Sequence, residues 1–271
     1  MRRPAPGKIN LALVAGPLRD DGRHELLTVY QRIGLADRID VEPAERTRVD
    51  GFAGDTLVRD ALQRLAVRAA VDRGWRARIE KRVPVAGGLA GGSSDAATAL
   101  RLANDTLDEP LPQPELHALA AELGADVPYF LLDGPRLGSG NGSTLAALDL
   151  PQDFWIVLAL PNGVVKRSTA DVYAAFDARD GARGWDERRT AVLEALEQVQ
   201  RPRDLAALPL NDLASSPLAD ELRSLGAFRA DVSGAGPTVY GLFHHRQPAR
   251  AAQRALTRGA RTWLTAPAWY G

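Results

Sequence analysis

The stretch from Pro84 to Asp95, PVAGGLAGGSSD, constrains the fold of this chain more than any other, because four of the six residues from Gly87 to Gly92 are glycine. Such a run lets the backbone take left-handed torsions and approach a ligand with no Cβ in the way. Ahead of it WRARIEKRV (75–83) alternates like a strand, and behind it Ser94 to Asn104 is Ala/Leu-rich like a helix. A strand must therefore enter a glycine turn that leaves as a helix. Free amides and the positive dipole end at such a junction suit a polyphosphate. Two familiar loops are excluded. Gly87 and Gly92 have Walker A spacing, but Ser93 stands where that motif needs lysine, and GxGxxG cannot be placed. A plain strand-to-helix turn capped by Ser94 stays open as the alternative.

Composition removes several other classes. With 34 basic and 34 acidic residues in 271, the net charge is zero and nothing points to a nucleic-acid partner. The absence of cysteine excludes a disulfide framework, a thiolate nucleophile and a cysteine metal site. The histidines His24, His117, His244 and His245 lack HExxH spacing. No apolar run approaches the about 18 residues of a membrane span. Lys8 and Asn10 interrupt the N-terminal stretch that could otherwise pass for a signal peptide. A cytoplasmic chain with no membrane partner is expected, either a monomer or a homodimer.

Hydrophobic periodicity predicts early strands at 8–15 and 26–42 around the turn PLRDDGR, and a helix over Thr56–Val71 with Val58, Leu62, Leu65 and Ala69 on one face. A helix over Pro114–Leu123 should end at Gly124 in a left-handed cap. LGSGNGSTL reads as a turn between short strands, and FWIVLALP (154–161) as a buried strand. The remainder reads helix, helix, a short NDL segment, helix, strand, turn, strand, helix, strand. The expected class is α+β in two units, 1–150 and 151–271.

Two single residues carry possible chemistry. Lys8 begins the first strand and is one of only three lysines, with Lys81 and Lys166. Asp126, in LGADVPYFL, looks locally like the N-cap of a short helix. A lysine close to a carboxylate would hold it ionised and aim it at a hydroxyl, as phosphoryl transfer requires. VSGAGPTVYGLF (232–243) is a strand, glycine turn and strand that could close over a phosphate, or a simple hairpin.

PAPGKINLAL, DDGRHEL, VPVAGGLAGGSSDAATAL and LGADVPYFL, followed by NDL and VSGAGPT, together resemble the GHMP kinase superfamily. The PGKIN start and the DGRHEL block resemble its branch that acts on a cytidine diphosphate-linked methylerythritol in non-mevalonate isoprenoid synthesis. Kinases of mevalonate, homoserine or sugars share the glycine-loop motifs and remain the alternative, as does a relative that kept the fold and lost catalysis. The resemblance implies a ribosomal protein S5 domain 2-like N-terminal domain and a ferredoxin-like C-terminal domain, with ATP and substrate in the cleft between them. It further implies transfer of the ATP γ-phosphoryl group to the substrate 2-hydroxyl. In that reading Asp126 accepts the hydroxyl proton and Lys8 assists it. The ATP loop comprises Pro84, Val85, Ala86, Gly87, Gly88, Leu89, Ala90, Gly91, Gly92, Ser93 and Ser94, with Lys81 and Leu57 near the adenine. Asn10 contacts substrate and His24 the cytosine. Arg23 stands where tyrosine is common, and an arginine plane with Tyr173 opposite could sandwich the base. Magnesium is implied with ATP, its ligands unassigned. Gly7, Ala90 and Thr56 replace the usual alanine, glycine and asparagine, and Ala90 implies that its position avoids positive φ.

Overall fold

The computed structural model describes residues 1–164 and 167–268. The chain opens with two long antiparallel strands, β1 (Arg2–Leu18) and β2 (His24–Ala44), joined by the turn that DDGR dictates. There Asp21 accepts the Arg23 amide at 3.0 Å, and Arg19 pairs with Glu25 at 2.5 Å. Then come β3 (Arg48–Asp50), α1 (Leu57–Arg68), β4 (Gly74–Glu80), α2 (Gly91–Asn104), α3 (Gln113–Leu123) and a 3-10 turn at Pro128–Leu131. The hairpin β5 (Arg136–Gly140) and β6 (Thr144–Ala147) completes the first sheet, ordered β3-β4-β2-β5-β6 with β1 on the other edge of β2. Val58, Leu62 and Leu65 of α1 meet Ala96, Leu100 and Ala103 of α2 in its core, as their helical spacing predicts.

The second half comprises β7 (Trp155–Pro161), α4 (Thr169–Asp177), α5 (Trp185–Glu197), a 3-10 turn at Pro202–Ala207, α6 (Pro217–Ser224), β8 (Arg229–Val232), β9 (Val239–Phe243), α7 (Arg246–Leu256) and β10 (Ala260–Thr265). Its sheet runs β10-β7-β9-β8, antiparallel throughout. The period of two explains why β7 is apolar at every position. Ile156 and Leu158 face a core shared with Ile9 and Leu11 of β1, while Val157 and Ala159 face Ala249 and Ala252 of α7. Both faces are buried, so the halves meet through a continuous core.

Three local expectations are corrected. Gly124 has φ 164° and ψ 155°, extended and not left-handed, because the chain runs straight on towards Asp126. Helix α2 begins at Gly91, three residues earlier than its Ala/Leu pattern predicts, with Ala90 at its N-cap. The missing Cβ of Gly91 lets that first turn close on Val83 and Lys81, and Ser94 is inside the helix and does not cap it. Ala90 itself has φ 52°, so its position does adopt the left-handed region, at a cost on the order of 1 kcal/mol. The sharp entry into α2 imposes that torsion whatever the side chain. Ala86, with φ 59°, carries the same strain at the other end of the loop.

Candidate functional site

The centre of the site is built on the paired strands β1 and β2. A bulge between Pro6 and Lys8 sets Lys8 opposite Arg32, and Asn10 lies opposite Tyr30. The Lys8 side chain donates to Asn10 Oδ1 at 2.7 Å, the Asn10 amide donates to Thr28 Oγ1 at 2.7 Å, and Thr28 donates to the Ala12 carbonyl at 2.7 Å. This relay fixes both the lysine and the amide orientation. Asp126 enters from the loop after α3, its Oδ2 3.9 Å from Lys8 Nζ. It does not cap the following turn, where Val127 holds the N-cap position without a side-chain bond. Lys8 is only 4% exposed. Burial pulls its pKa down and the Asp126 carboxylate pulls it back up. Tyr30, with its ring 5.3 Å from Lys8 Nζ, completes this floor, and burial followed by Asp126 raises the pKa of its hydroxyl.

A cavity of about 1010 Å³ extends both ways from this pair. One end is the glycine loop. Gly88, at φ 80°, packs so closely on the 233–238 turn that a Cβ would lie 2.4 Å from the Ser233 carbonyl. Ser233 Oγ donates to the Gly88 carbonyl at 3.0 Å, and the Thr238 amide donates to Gly87 at 3.2 Å. The Lys8 amide donates to the Leu89 carbonyl at 3.0 Å. VSGAGPT is therefore a brace for the loop, and Gly234 also reaches the wall of the cavity beside Lys8 and Asn10. Of the loop residues singled out in the sequence, Leu89 and Ser94 point away from the cavity and are wholly buried, while the others line it, as do Leu57 and Lys81. The Ser94 hydroxyl has no hydrogen-bond partner among the described residues.

Behind the loop sits a buried charge cluster. Lys81 Nζ donates to Asp37 Oδ2 at 2.5 Å and to Asp95 Oδ2 at 2.8 Å, and lies 5.7 Å from the Phe52 ring. Asp37, on β2, also accepts the amides of Arg82 and Val83, the latter at 2.8 Å. These bonds take the chain out of β4 after Glu80, so 81–83 does not continue the strand. Both ends of the glycine loop are thus tied to one ammonium. Burial and then the Asp37 carboxylate push the Asp95 carboxyl up to about 8, with Lys81 opposing. Burial by itself would lower Lys81, but Asp95 and Asp37 together raise it.

At the other end His24 is held by a contact of 2.8 Å between Nδ1 and the Gly16 carbonyl. Tyr173, from α4, stacks on the imidazole with centroids 4.8 Å apart and planes 13° apart. The ring beneath Tyr173 is thus that of His24, whereas Arg23 is exposed at the cavity wall. Burial and then Asp126 push the Tyr173 hydroxyl up to about 12. Among the described residues no group of three His, Asp or Glu side chains could hold a metal ion, and no helix is long and apolar enough to cross a membrane.

A glycine loop, a lysine–aspartate pair and an aromatic-lined far end share one cleft, and the comparisons fit that arrangement. The GHMP kinases N terminal domain model matches residues 56–134 and the GHMP kinases C terminal model matches 203–261. A 4-diphosphocytidyl-2-C-methyl-D-erythritol kinase of Anaeromyxobacter dehalogenans is 38% identical over 93% of this chain and 83% of its own. One of Mycolicibacterium smegmatis is 41% identical over 86% and 78% respectively. The chain belongs to the 4-diphosphocytidyl-2-C-methyl-D-erythritol kinase family. A crystal structure of a 4-(cytidine 5'-diphospho)-2C-methyl-D-erythritol kinase superposes with a TM-score of 0.81 at 32% identity, covering 100% of both chains. A mevalonate kinase superposes at 0.77 with 13% identity over 98% and 99%, which shows the common fold. The α+β, two-domain GHMP kinase architecture expected from the sequence is thus observed, and ATP is the phosphoryl donor that goes with it.

Within this family member several residues of the cavity escaped sequence reasoning. Asp95 was readable in GGSSD, since a carboxylate in the first turn after a glycine loop calls for a cationic partner. Asp177 was readable from its helical spacing to Tyr173. Tyr30 and Thr28 in the cavity, and Asp37 buried behind it, left no signal, because ordinary strand residues reveal their partners only once β2 is paired on both edges.

Proposed function

We propose that this chain transfers the ATP γ-phosphoryl group to the 2-hydroxyl of 4-diphosphocytidyl-2-C-methyl-D-erythritol, giving the 2-phosphate and ADP. The observation that carries the reading is the Lys8–Asp126 pair, 3.9 Å apart at the middle of a cavity whose ends differ in kind. Asp126 accepts the hydroxyl proton as the oxygen attacks the γ-phosphorus and the bond to the β-phosphate oxygen breaks. Lys8 pairs with Asp126 and orients its carboxylate, and Asn10 positions Lys8 from below. Residues 84–94 hold the triphosphate through main-chain amides, with Leu57 and Lys81 towards the adenine. His24 and Tyr173 take the cytosine end, Arg23 at its margin. Magnesium would arrive with the nucleotide, held largely by phosphate oxygens and water, and would offset their charge. Residues 1–150 and 151–271 act as the two domains of the cleft. The same reading is cytoplasmic.

ADP release coupled to a reporter enzyme tests the proposal. Purified protein with magnesium ATP should release ADP on addition of the cytidyl substrate and not of mevalonate or homoserine. Protein that binds ATP yet releases no ADP with the cytidyl substrate sinks it.

A further inference from the structure

Asp126 lies 3.9 Å from Lys8, a separation that makes an ion pair and not a hydrogen bond, so the place of its main chain must come from elsewhere. The stretch that carries it has little slack. The Val127 amide donates to the Gly124 carbonyl and the Phe130 amide to the Val127 carbonyl, both at 3.1 Å. The 3-10 turn Pro128–Leu131 that follows is so short that the carbonyls of Phe130 and Leu131 find no amide within it.

Two guanidiniums supply the missing donors. Arg32 Nη2 donates to the Phe130 carbonyl at 3.0 Å, to Tyr129 at 3.4 Å and to Leu132, while Nη1 donates to Asp133 Oδ1 at 3.3 Å. Arg101 Nη2 donates to the Leu131 carbonyl at 2.7 Å and to Phe130 at 3.4 Å. Arg32 is buried, and a charge so placed needs several acceptors to match it. It is also firmly anchored. It stands on β2 directly opposite Lys8 on β1, and its own carbonyl accepts from Gln31 Nε2 at 2.9 Å and from the Ala268 amide at 3.2 Å. Arg101 stands on α2, the helix that the glycine loop opens. Tyr129 fills the space between, its ring 5.7 Å from Arg32 Cζ and stacked at 4.8 Å on Tyr30, the floor of the Lys8–Asp126 pair.

Resting on the reading of Asp126 as the proton acceptor, we infer that Arg32, seconded by Arg101, is a positioning residue for phosphoryl transfer. Its guanidinium grips the carbonyls of residues 129–132 and so sets how far Asp126 stands from Lys8 and from the attacking hydroxyl. Neither arginine lines the cavity, so both act through Asp126 and not on the substrate. Lysine cannot take the place of Arg32, because an ammonium is a point charge without the planar fork that reaches several carbonyls at once. A displacement of about 1 Å at a reacting group costs on the order of 10² in rate.

Steady-state kinetics of the full chain with magnesium ATP and the cytidyl substrate test this, using Arg32→Lys alone and combined with Asp126→Asn. Arg32→Lys should lower kcat by about tenfold to a hundredfold and leave both KM values within about twofold of wild type. In the Asp126→Asn background the same change should lower the residual kcat by less than about twofold, because the group it places is already disabled. A merely structural role would move KM, or its loss would multiply with that of Asp126→Asn. Multiplying losses overturn the inference, and so does an Arg32→Lys protein that keeps wild-type kcat while its Tm falls. Should Arg32→Lys fail to fold, Arg101→Met carries the same prediction at about threefold to tenfold in kcat, and wild-type kcat there overturns it. Wild-type protein that releases no ADP with the cytidyl substrate removes the phosphoryl-transfer reading instead. The clamp is then decided by the crystal structure of whichever variant folds: the Lys8 Nζ–Asp126 Oδ2 separation should move from 3.9 Å by about 1 Å or more, and an unchanged separation overturns it.

Discussion

The two ends of the cleft are made of different material. The glycine-loop end is main chain, contributed by one stretch of sequence and braced by the 233–238 turn, with a buried ammonium and two carboxylates behind it. The far end is side chain, with His24 from β2 and Tyr173 and Asp177 from α4 brought together across nearly the whole fold. A loop held by backbone contacts is intolerant where a Cβ would meet backbone, as at Gly88, and open where it would not, as at Gly92. A site of projecting side chains can be respecified residue by residue, and Arg23 at its margin is exposed, so the frame does not depend on it.

The sharpest way to probe that division is at the point where the ends meet. Asp126→Asn should lower kcat by about 10²–10⁴ with both KM values close to wild type, as loss of a general base does. A KM for one substrate that moves as far as kcat would assign Asp126 to that end instead. Next, Gly88→Ala should raise the KM for ATP at least about tenfold and destabilise the fold by about 1–3 kcal/mol, while CMP binding persists. The mirror experiment is Tyr173→Ala, which uncovers one face of His24 and should weaken CMP about tenfold with ATP binding intact. Coupled losses in both experiments would break the picture of two independent ends.

Smaller effects test the buried charges and the strain. Asp95 has its proton affinity raised in the folded state, so its contribution to stability is full below the ordinary carboxylate range and is lost as pH rises from about 4 through about 8. Asp95→Asn cannot ionise. The difference in Tm between variant and wild type should therefore shift in favour of Asn between pH 6 and pH 9, and a pH-independent difference would remove Asp95 from the titrating groups. Ala90→Gly relieves the left-handed torsion and should raise Tm by a few degrees, corresponding to about 1 kcal/mol. Thermal melts of the two proteins check it.

How far these features were legible in the sequence follows the same division. PVAGGLAGGSSD announced a tight glycine loop between a strand and a helix because its torsional freedom and its flanking strand and helix are all local properties. Lys8 and Asp126 could be named as candidates, but locally each had an ordinary explanation, and only the route of β1 beside the loop after α3 brings them within 3.9 Å. Ala90 was misread because side-chain preference was weighed without the turn that enters α2. At the far end Tyr173 could be proposed as an aromatic wall opposite Arg23, and only the tertiary packing of α4 shows that it stacks on the His24 ring. The succession of helices and strands in the second half was readable, since turns and apolar runs there follow one another closely, whereas the sheet order β10-β7-β9-β8 was not.

The docking of Ser233 on Gly88 has a consequence for how the molecule is made. A ribosome releases the chain from its N-terminus, and the glycine loop emerges well before the residues that brace it. The tail of the chain also returns to β2, where Ala268 donates to the Arg32 carbonyl at 3.2 Å. A nascent or truncated polypeptide thus carries Lys8, Asp126 and the whole glycine segment while lacking the turn that holds them in register. The brace on the glycine loop is completed only after residues 233–238 have been made.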